Sequence, residues 1–143
     1  IIYPIPYVQT ICFLKESVYM YRIGRQSQSV GIEKMQQNEC DYNRVIYSLL
    51  NFYNQLDKEI PCTVAKKHYI ARMIARVIAG KMKILLSFPR SRGKKRELVM
   101  FDRKIKKEYP EIYDGNVNGA VCILRKSWYL MYDFISILVR AKY

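Results

Sequence analysis

Residues 63–88 read TVAKKHYIARMIARVIAGKMKILLSF, and apolar side chains recur in them at steps of three and four. This period predicts a helix over Thr63–Phe88, because an α-helix turns once in 3.6 residues and gathers such positions on one face. Pro89 ends it, because proline cannot continue the ladder of helical hydrogen bonds. Small residues at Ala71, Ala75 and Ala79 let a neighbouring helix approach closely. The predicted apolar stripe consists of Ile70, Met73, Ile74, Val77, Ile78, Ile84 and Leu85.

The segments on both sides of this helix have the same period. We predict helices over Ile32–Leu56, from within the run 89–96 to Tyr109, and over Val121–Arg140, with a turn-rich loop at 110–119. Amphipathic helices joined by short connections bury their apolar faces against one another. The main part of the chain is therefore predicted to be a bundle of about four helices.

The first thirty residues have a different character. Pro4 and Pro6 disfavour helix, because each proline lacks an amide donor and holds the residue before it extended. The runs TICFL, Thr10–Leu14, and VYMYRI, Val18–Ile23, are rich in residues that favour strands. The predicted fold class is therefore mainly α, with a short two-stranded β element before the helical bundle.

The charge of the chain predicts an anionic partner. Its 25 Lys and Arg outnumber 12 Asp and Glu, which gives a formal net charge of +13 and attracts nucleic acid, anionic lipid or phosphorylated small molecules. The densest run is PRSRGKKR, residues 89–96; no aromatic side chain interrupts it, which favours a membrane surface over nucleic acid. A solvated helix entry is the alternative. The predicted anion-binding residues are Arg90, Arg92, Lys94, Lys95 and Arg96.

Nothing in the chain predicts a complete active site. The acidic residues are scattered, no glycine-rich phosphate loop is present, and His68 is the single histidine. The cysteines are spread too evenly for a zinc pattern, and we interpret them as buried structural thiols. They are Cys12, Cys40, Cys62 and Cys122.

Two arginines and two serines precede the helix predicted from Ile32. Arg22, Arg25, Ser27 and Ser29 offer guanidinium and hydroxyl donors close to the free amide groups of a helix N-terminus. Together these groups suit a phosphate oxygen. A capped strand-to-helix turn with surface arginines is the alternative interpretation.

The series IIYPIPYVQTICFLKESVYMYRIGRQSQSV, residues 1–30, resembles the end of the catalytic domain in bacterial family-two glycosyltransferases of the GT-A fold. Ile11–Leu14 resembles an apolar strand of that family, Val18–Arg22 its Tyr-Tyr-Arg strand, and Gly24–Val30 its arginine and serine segment. Gly31 departs from the pattern, since relatives often have a serine there. The resemblance implies that residues 1–30 are the trailing edge of a GT-A-like catalytic domain and residues 31–143 a C-terminal helical domain.

The resemblance also implies an activity for a longer parent protein. Such enzymes transfer a sugar from a nucleotide-sugar donor to a polysaccharide, lipid-linked or protein acceptor, with Mg²⁺ or Mn²⁺ as cofactor. Their Asp-x-Asp metal motif and catalytic carboxylates lie upstream of the positions that Ile1 resembles, so no catalytic residue or cofactor is expected here. The resemblance assigns Arg22, Arg25, Ser27 and Ser29 to the donor or acceptor rim.

The expected role of this chain is to support acceptor binding, membrane attachment or dimerisation. The expected partners are the missing N-terminal catalytic domain, the nucleotide-sugar donor, an anionic membrane surface and a second copy of the chain. The expected location is cytoplasmic, peripheral on the inner face of the membrane. The alternative is a basic helical module that binds nucleic acid or another protein.

Overall fold

The computed structural model describes residues 2–16, 32–89 and 91–141. The predicted mainly helical architecture is confirmed in this part of the chain. A 3-10 turn at Ile5–Tyr7 is followed by seven α-helices: α1 Ile32–Gln37, α2 Glu39–Gln55, α3 Val64–Ser87, α4 Arg92–Glu108, α5 Pro110–Asp114, α6 Gly119–Lys126 and α7 Tyr132–Ala141. The predicted division between residues 30 and 31 falls outside the described residues and stays a prediction.

Helix α3 is the centre of the fold. Its start is capped by Thr63, whose side chain accepts a hydrogen bond from the amide of Lys66. Helices α1, α2, α4, α5 and α7 all contact it. Of the predicted stripe, Met73 and Val77 are half-buried and the other members are buried. The helix buries side chains on more than one face, because neighbours surround it: Ile70, Ala71, Ile74, Ala75, Ile78, Met82, Ile84, Leu85 and Leu86 are almost completely buried.

The predicted β element is not seen in the described part of the chain. Residues 10–14 have no regular secondary structure, and the second predicted strand, 18–23, lies outside the described residues. Strand propensity reflects the fit of a side chain to a pleated, half-buried surface. Ile11, Phe13 and Leu14 are instead exposed, so residues 10–14 lack the packing that their composition suggests.

Two predicted helices are each divided in two. Asn38 separates α1 from α2, although the amide of Asn38 still donates to Lys34 O and the amide of Tyr42 to Asn38 O. The break between α6 and α7 is larger, because Trp128 and Tyr129 have φ angles of 51° and 63°. Left-handed backbone cannot continue a right-handed helix. Apolar residues continue through the turn, and this hides the break in the sequence.

The predicted loop at 110–119 contains a short helix. Pro110 follows α4 and also opens α5, since the first position of a helix needs no amide donor. Ile112 in α5 is buried, and α5 packs against α3 and α4. The segment therefore contributes to the core, which corrects its prediction as a turn-rich loop.

Candidate functional site

The predicted rim residues cannot be located relative to the fold. Arg22, Arg25, Ser27 and Ser29 lie outside the described residues, and so does Arg90. Their assignment to a donor or acceptor rim, and that of Arg90 to an anionic surface, stays a prediction.

The other residues of the predicted basic run lie in the first two turns of α4 and point in different directions. Arg92 and Arg96 are exposed, and Lys95 is half-buried with its ammonium 5.7 Å from the ring centre of Tyr132. The Lys94 ammonium lies 2.9 Å from a carboxylate oxygen of Glu39 and 4.4 Å from the ring centre of Phe88. The charge of Lys94 is therefore paired inside the protein.

A second lysine is buried close to Lys94. Lys81 is 6% exposed, donates a hydrogen bond to Asn43 Oδ1 and lies 3.9 Å from Glu97 Oε1. Its ammonium also lies 4.5 Å from the ring centre of Phe101. Burial lowers the pKa of Lys81, because removal from water disfavours the charged form. Since Glu97 also pairs with Lys94, these groups join α2, α3 and α4.

An exposed apolar surface, here called the apolar face, extends from the turn before α7 onto the helix. Trp128 and Leu130 are 83% and 80% exposed. Large exposed apolar clusters are uncommon on soluble proteins and mark surfaces that contact a partner or a membrane. The face consists of Trp128, Leu130, Met131, Phe134, Ile137 and Leu138.

Helix α7 is oriented by hydrogen bonds from its opposite side. Tyr132 Oη donates to Leu85 O at 3.2 Å, and Ser136 Oγ donates to Leu86 O at 2.7 Å. Both carbonyl groups belong to the last turn of α3, and Ile135 is buried with these two donors. Because this side of α7 is attached to α3, the remaining apolar residues of the helix face outward.

A buried polar network holds the left-handed turn that leads into α7. The Arg125 guanidinium donates to both carboxylate oxygens of Asp102, at 3.0 and 2.7 Å, and to Tyr113 O at 2.8 Å. It also lies 3.5 Å from the ring centre of Tyr113. Tyr129 Oη donates to Asp102 at 2.6 Å, and burial together with this bond raises the pKa of Tyr129. The network thereby fixes the turn that exposes Trp128.

Residues of the basic run lie beside the start of α7. Arg92 and Lys95 of α4 line a small cleft together with Tyr132 and Asp133 of α7. Two predicted cations therefore lie beside α7, on the side of the helix that carries Tyr132, in a cleft that also contains the Asp133 carboxylate. Lys126 adds an exposed cation two residues before Trp128. Apolar side chains bordered by cations are the arrangement that suits the surface of an anionic bilayer.

The described residues form no group of three or more His, Cys, Asp or Glu side chains that could hold a metal ion. None of the described helices has the length and apolar character needed to cross a bilayer. The interpretation of the cysteines as buried thiols is wrong, since none of the four is buried: Cys12 and Cys40 are exposed, and Cys62 and Cys122 are half-buried. Cys12 lies in the segment 10–14, which was predicted to be a strand but has no regular secondary structure.

Sequence reasoning missed the apolar face. It predicted one continuous helix over Val121–Arg140 with its apolar side chains packed in the bundle, whereas the structure exposes Trp128, Met131 and Leu138. A signal was available, because WYLMYDFISILV, residues 128–139, has more apolar residues than one helix face can hold.

Comparison of the chain with protein-family models, with curated proteins and with solved structures gave no match.

Proposed function

We propose that this chain is the helical C-terminal part of a bacterial family-two glycosyltransferase, and that its own role is to attach the enzyme to an anionic membrane surface. The resemblance of residues 1–30 supports the first part of the proposal. The second part is carried by the exposed apolar face, with the exposed Lys126 two residues before Trp128 and with Arg92 and Lys95 elsewhere beside α7. Acceptors linked to lipid would then be within reach of the catalytic domain.

The composition of the apolar face suits a bilayer boundary. Burial of one Phe, Leu or Ile side chain away from water is worth about 1.5 to 3 kcal/mol, and each nearby cation adds about 1 kcal/mol at an anionic surface. Helix α7 would lie in the plane of the interface, with Phe134 and Ile137 below it and the opposite side still attached to α3. Binding should therefore require both the apolar side chains and anionic lipid.

Cosedimentation with vesicles tests membrane attachment. The chain should bind vesicles that contain phosphatidylglycerol, bind pure phosphatidylcholine vesicles weakly, and be released progressively by salt. The double substitution Phe134→Ser and Ile137→Ser should weaken binding at least tenfold, since tenfold corresponds to only about 1.4 kcal/mol. Both side chains are more than half exposed, so the fold should persist.

A matched control uses an exposed apolar residue far from the face. Val64 is exposed in the first turn of α3, about 30 Å along the helix from Leu85 at about 1.5 Å per residue. Val64→Ser should leave vesicle binding unchanged. Equal binding of the double variant and the native chain, or tight binding to duplex DNA without binding to vesicles, would contradict membrane attachment and favour a nucleic-acid module.

The sugar-transfer part of the proposal needs the parent protein. A panel of nucleotide sugars should reveal one donor that the parent uses with Mg²⁺ or Mn²⁺. The double substitution Arg22→Ala and Arg25→Ala should reduce turnover sharply if these residues line the rim, while circular dichroism shows an intact fold. Absence of transfer from every donor would contradict the family resemblance.

A further inference from the structure

One side of α4 carries a straight line of cations, here called the basic stripe. It consists of Arg92, Arg96, Arg103 and Lys107. Successive members are four, seven and four residues apart, close to one, two and one turns of an α-helix, so they lie on the same side. All four are exposed, and the stripe is about 22 Å long at about 1.5 Å per residue. Leu98 and Ile105 are buried on the opposite side of the helix.

The acidic residues of α4 are paired with cations outside the basic stripe. The pairs are Glu97 with Lys94, Asp102 with Arg125 and Glu108 with Lys104, at 3.1, 2.7 and 3.9 Å. Among the residues that the structure describes, no hydrogen bond, ion pair or ring contact involves a cation of the stripe. Arg92 shares its cleft with Asp133, so the charge of the stripe is least compensated from Arg96 onward.

The start of the stripe does not stabilise α4. The first turn of the helix contains Arg92 and has no acidic residue. A cation at this end is unfavourable, because the unpaired amide groups give the start of a helix a partial positive charge. Lys107, in the last turn, is favourably placed for the helix. A negative partner outside the protein would offset the charge that the stripe places at the start of α4.

The stripe suits a duplex nucleic acid better than a bilayer or a single strand. Three of its four members are arginine, whose planar guanidinium group can donate to two phosphate oxygens at once. Interfacial helices insert apolar side chains into a bilayer, but of the residues described in α4 only Met100 exposes a large apolar side chain. Single strands stack their bases on aromatic rings, whereas Phe101 of α4 is half-buried against Lys81.

We propose that the basic stripe of α4 binds duplex nucleic acid through its phosphate groups. A stripe of about 22 Å spans roughly six base pairs, since successive phosphates of one strand are about 3.4 Å apart along the duplex axis. Such contacts carry no sequence information, because every base pair has the same phosphates. The inference goes beyond the proposed function, because it uses one side of α4 and no residue of the apolar face.

Fluorescence anisotropy of a labelled duplex DNA tests the proposal. Binding by the native chain should weaken as salt rises from about 50 to about 200 mM, with a slope of log K against log salt of about −3.6 for four phosphate contacts. Two duplexes of unrelated sequence should bind equally. The double substitution Arg96→Ala and Arg103→Ala removes the two central cations, so the slope should flatten to about −1.8 and binding should weaken at least tenfold at the lowest salt.

Two further variants separate the stripe from the net charge of the chain. Arg44→Ala with Arg76→Ala also removes two exposed arginines, from α2 and α3, and should leave the affinity and the slope close to their native values. Arg96→Lys with Arg103→Lys keeps both charges and should therefore keep the slope. The side chains changed in these variants are exposed, so the fold should persist, and circular dichroism checks it.

The double substitution in the apolar face separates this proposal from membrane attachment. Phe134→Ser with Ile137→Ser should lose vesicle binding and retain duplex binding, because both residues lie on α7 and not on α4. Arg96→Ala with Arg103→Ala should retain vesicle binding, because the apolar face is unchanged. Either proposal can therefore fail without the other.

Three results would overturn duplex binding by the stripe. The first is absence of duplex binding by the native chain at the lowest salt. The second is equal weakening by Arg96→Ala with Arg103→Ala and by the control Arg44→Ala with Arg76→Ala, because net charge would then account for the affinity. The third is loss of vesicle binding in the stripe variant while duplex binding is unchanged, which would assign the stripe to anionic lipid.

Discussion

The substitution Arg125→Ala should destabilise the protein strongly, because it leaves a buried carboxylate largely unpaired. Asp102 is 0% exposed and accepts two hydrogen bonds from the Arg125 guanidinium. After the substitution the Tyr129 hydroxyl still donates to it, and Tyr113 O loses the guanidinium donor but keeps the amide of Asn116. Removal of one partner from a buried ion pair costs about 3 to 5 kcal/mol. The total stability of a domain is about 5 to 15 kcal/mol, so this loss is a large share of it.

Urea unfolding followed by circular dichroism measures the effect, and two further variants interpret it. Arg44→Ala removes an ion pair whose side chains are 83% and 70% exposed, and it should change the stability by less than about 1 kcal/mol. The double substitution Asp102→Leu with Arg125→Met removes both charges. It should recover most of the loss, because no charge then remains buried without a partner.

Arg125→Ala has a second measurable effect, which links the stability of the protein to the apolar face. Tyr129 is held in left-handed backbone by its bond to Asp102, and the turn exposes Trp128. Arg125→Ala should therefore weaken vesicle binding as well, at temperatures where the protein is still folded. An unfolding free energy that falls no further for Arg125→Ala than for Arg44→Ala would refute the reasoning, because the buried pair would then contribute no more than an exposed one.

Three other predictions concern stability. Burial raises the pKa of Tyr53 and Tyr129 above the ordinary value near 10, so the unfolded chain loses these protons at a lower pH than the folded chain. The free energy of unfolding should therefore fall as pH rises above about 10, by up to about 1.4 kcal/mol per pH unit for each group. Urea midpoints between pH 8 and pH 11 measure this fall. If Tyr53→Phe left the slope of stability against pH unchanged, the prediction would be contradicted. Lys81→Met should leave the stability near its native value or raise it, because an apolar side chain of similar length avoids burial of a charge and Glu97 keeps its pair with Lys94. A loss above about 3 kcal/mol in urea unfolding would show that the lysine is required. Ile74→Ala should cost about 2 to 5 kcal/mol in the same assay, since its side chain is completely buried on α3, and a loss below 1 kcal/mol would place it outside the core.

Helix α3 determines where the apolar face lies. Its last turn attaches α7 through the carbonyl groups of Leu85 and Leu86. A substitution in the core of α3 should therefore affect lipid binding through position as well as through stability.

Part of the candidate site could be predicted from the sequence. The basic run was identified, and Arg92 and Lys95 lie beside α7. The pairing of Lys94 could not be predicted, because its partner Glu39 is 55 residues away and charge density alone does not specify ion pairs. Tertiary contacts therefore decided which cations of the run are paired inside the protein and which lie beside α7.

The sequence by itself determined the helical segments, because the 3.6-residue period and the helix-ending prolines act over a few neighbouring residues. The left-handed turn at Trp128 and Tyr129 depended on Asp102, which lies 27 residues from Tyr129. The exposure of residues 10–14 likewise could not follow from local propensity, since a strand needs a partner and a surface to cover. Helix α7 is apolar on two sides, and only its contacts with α3 decided which side is buried and which remains exposed.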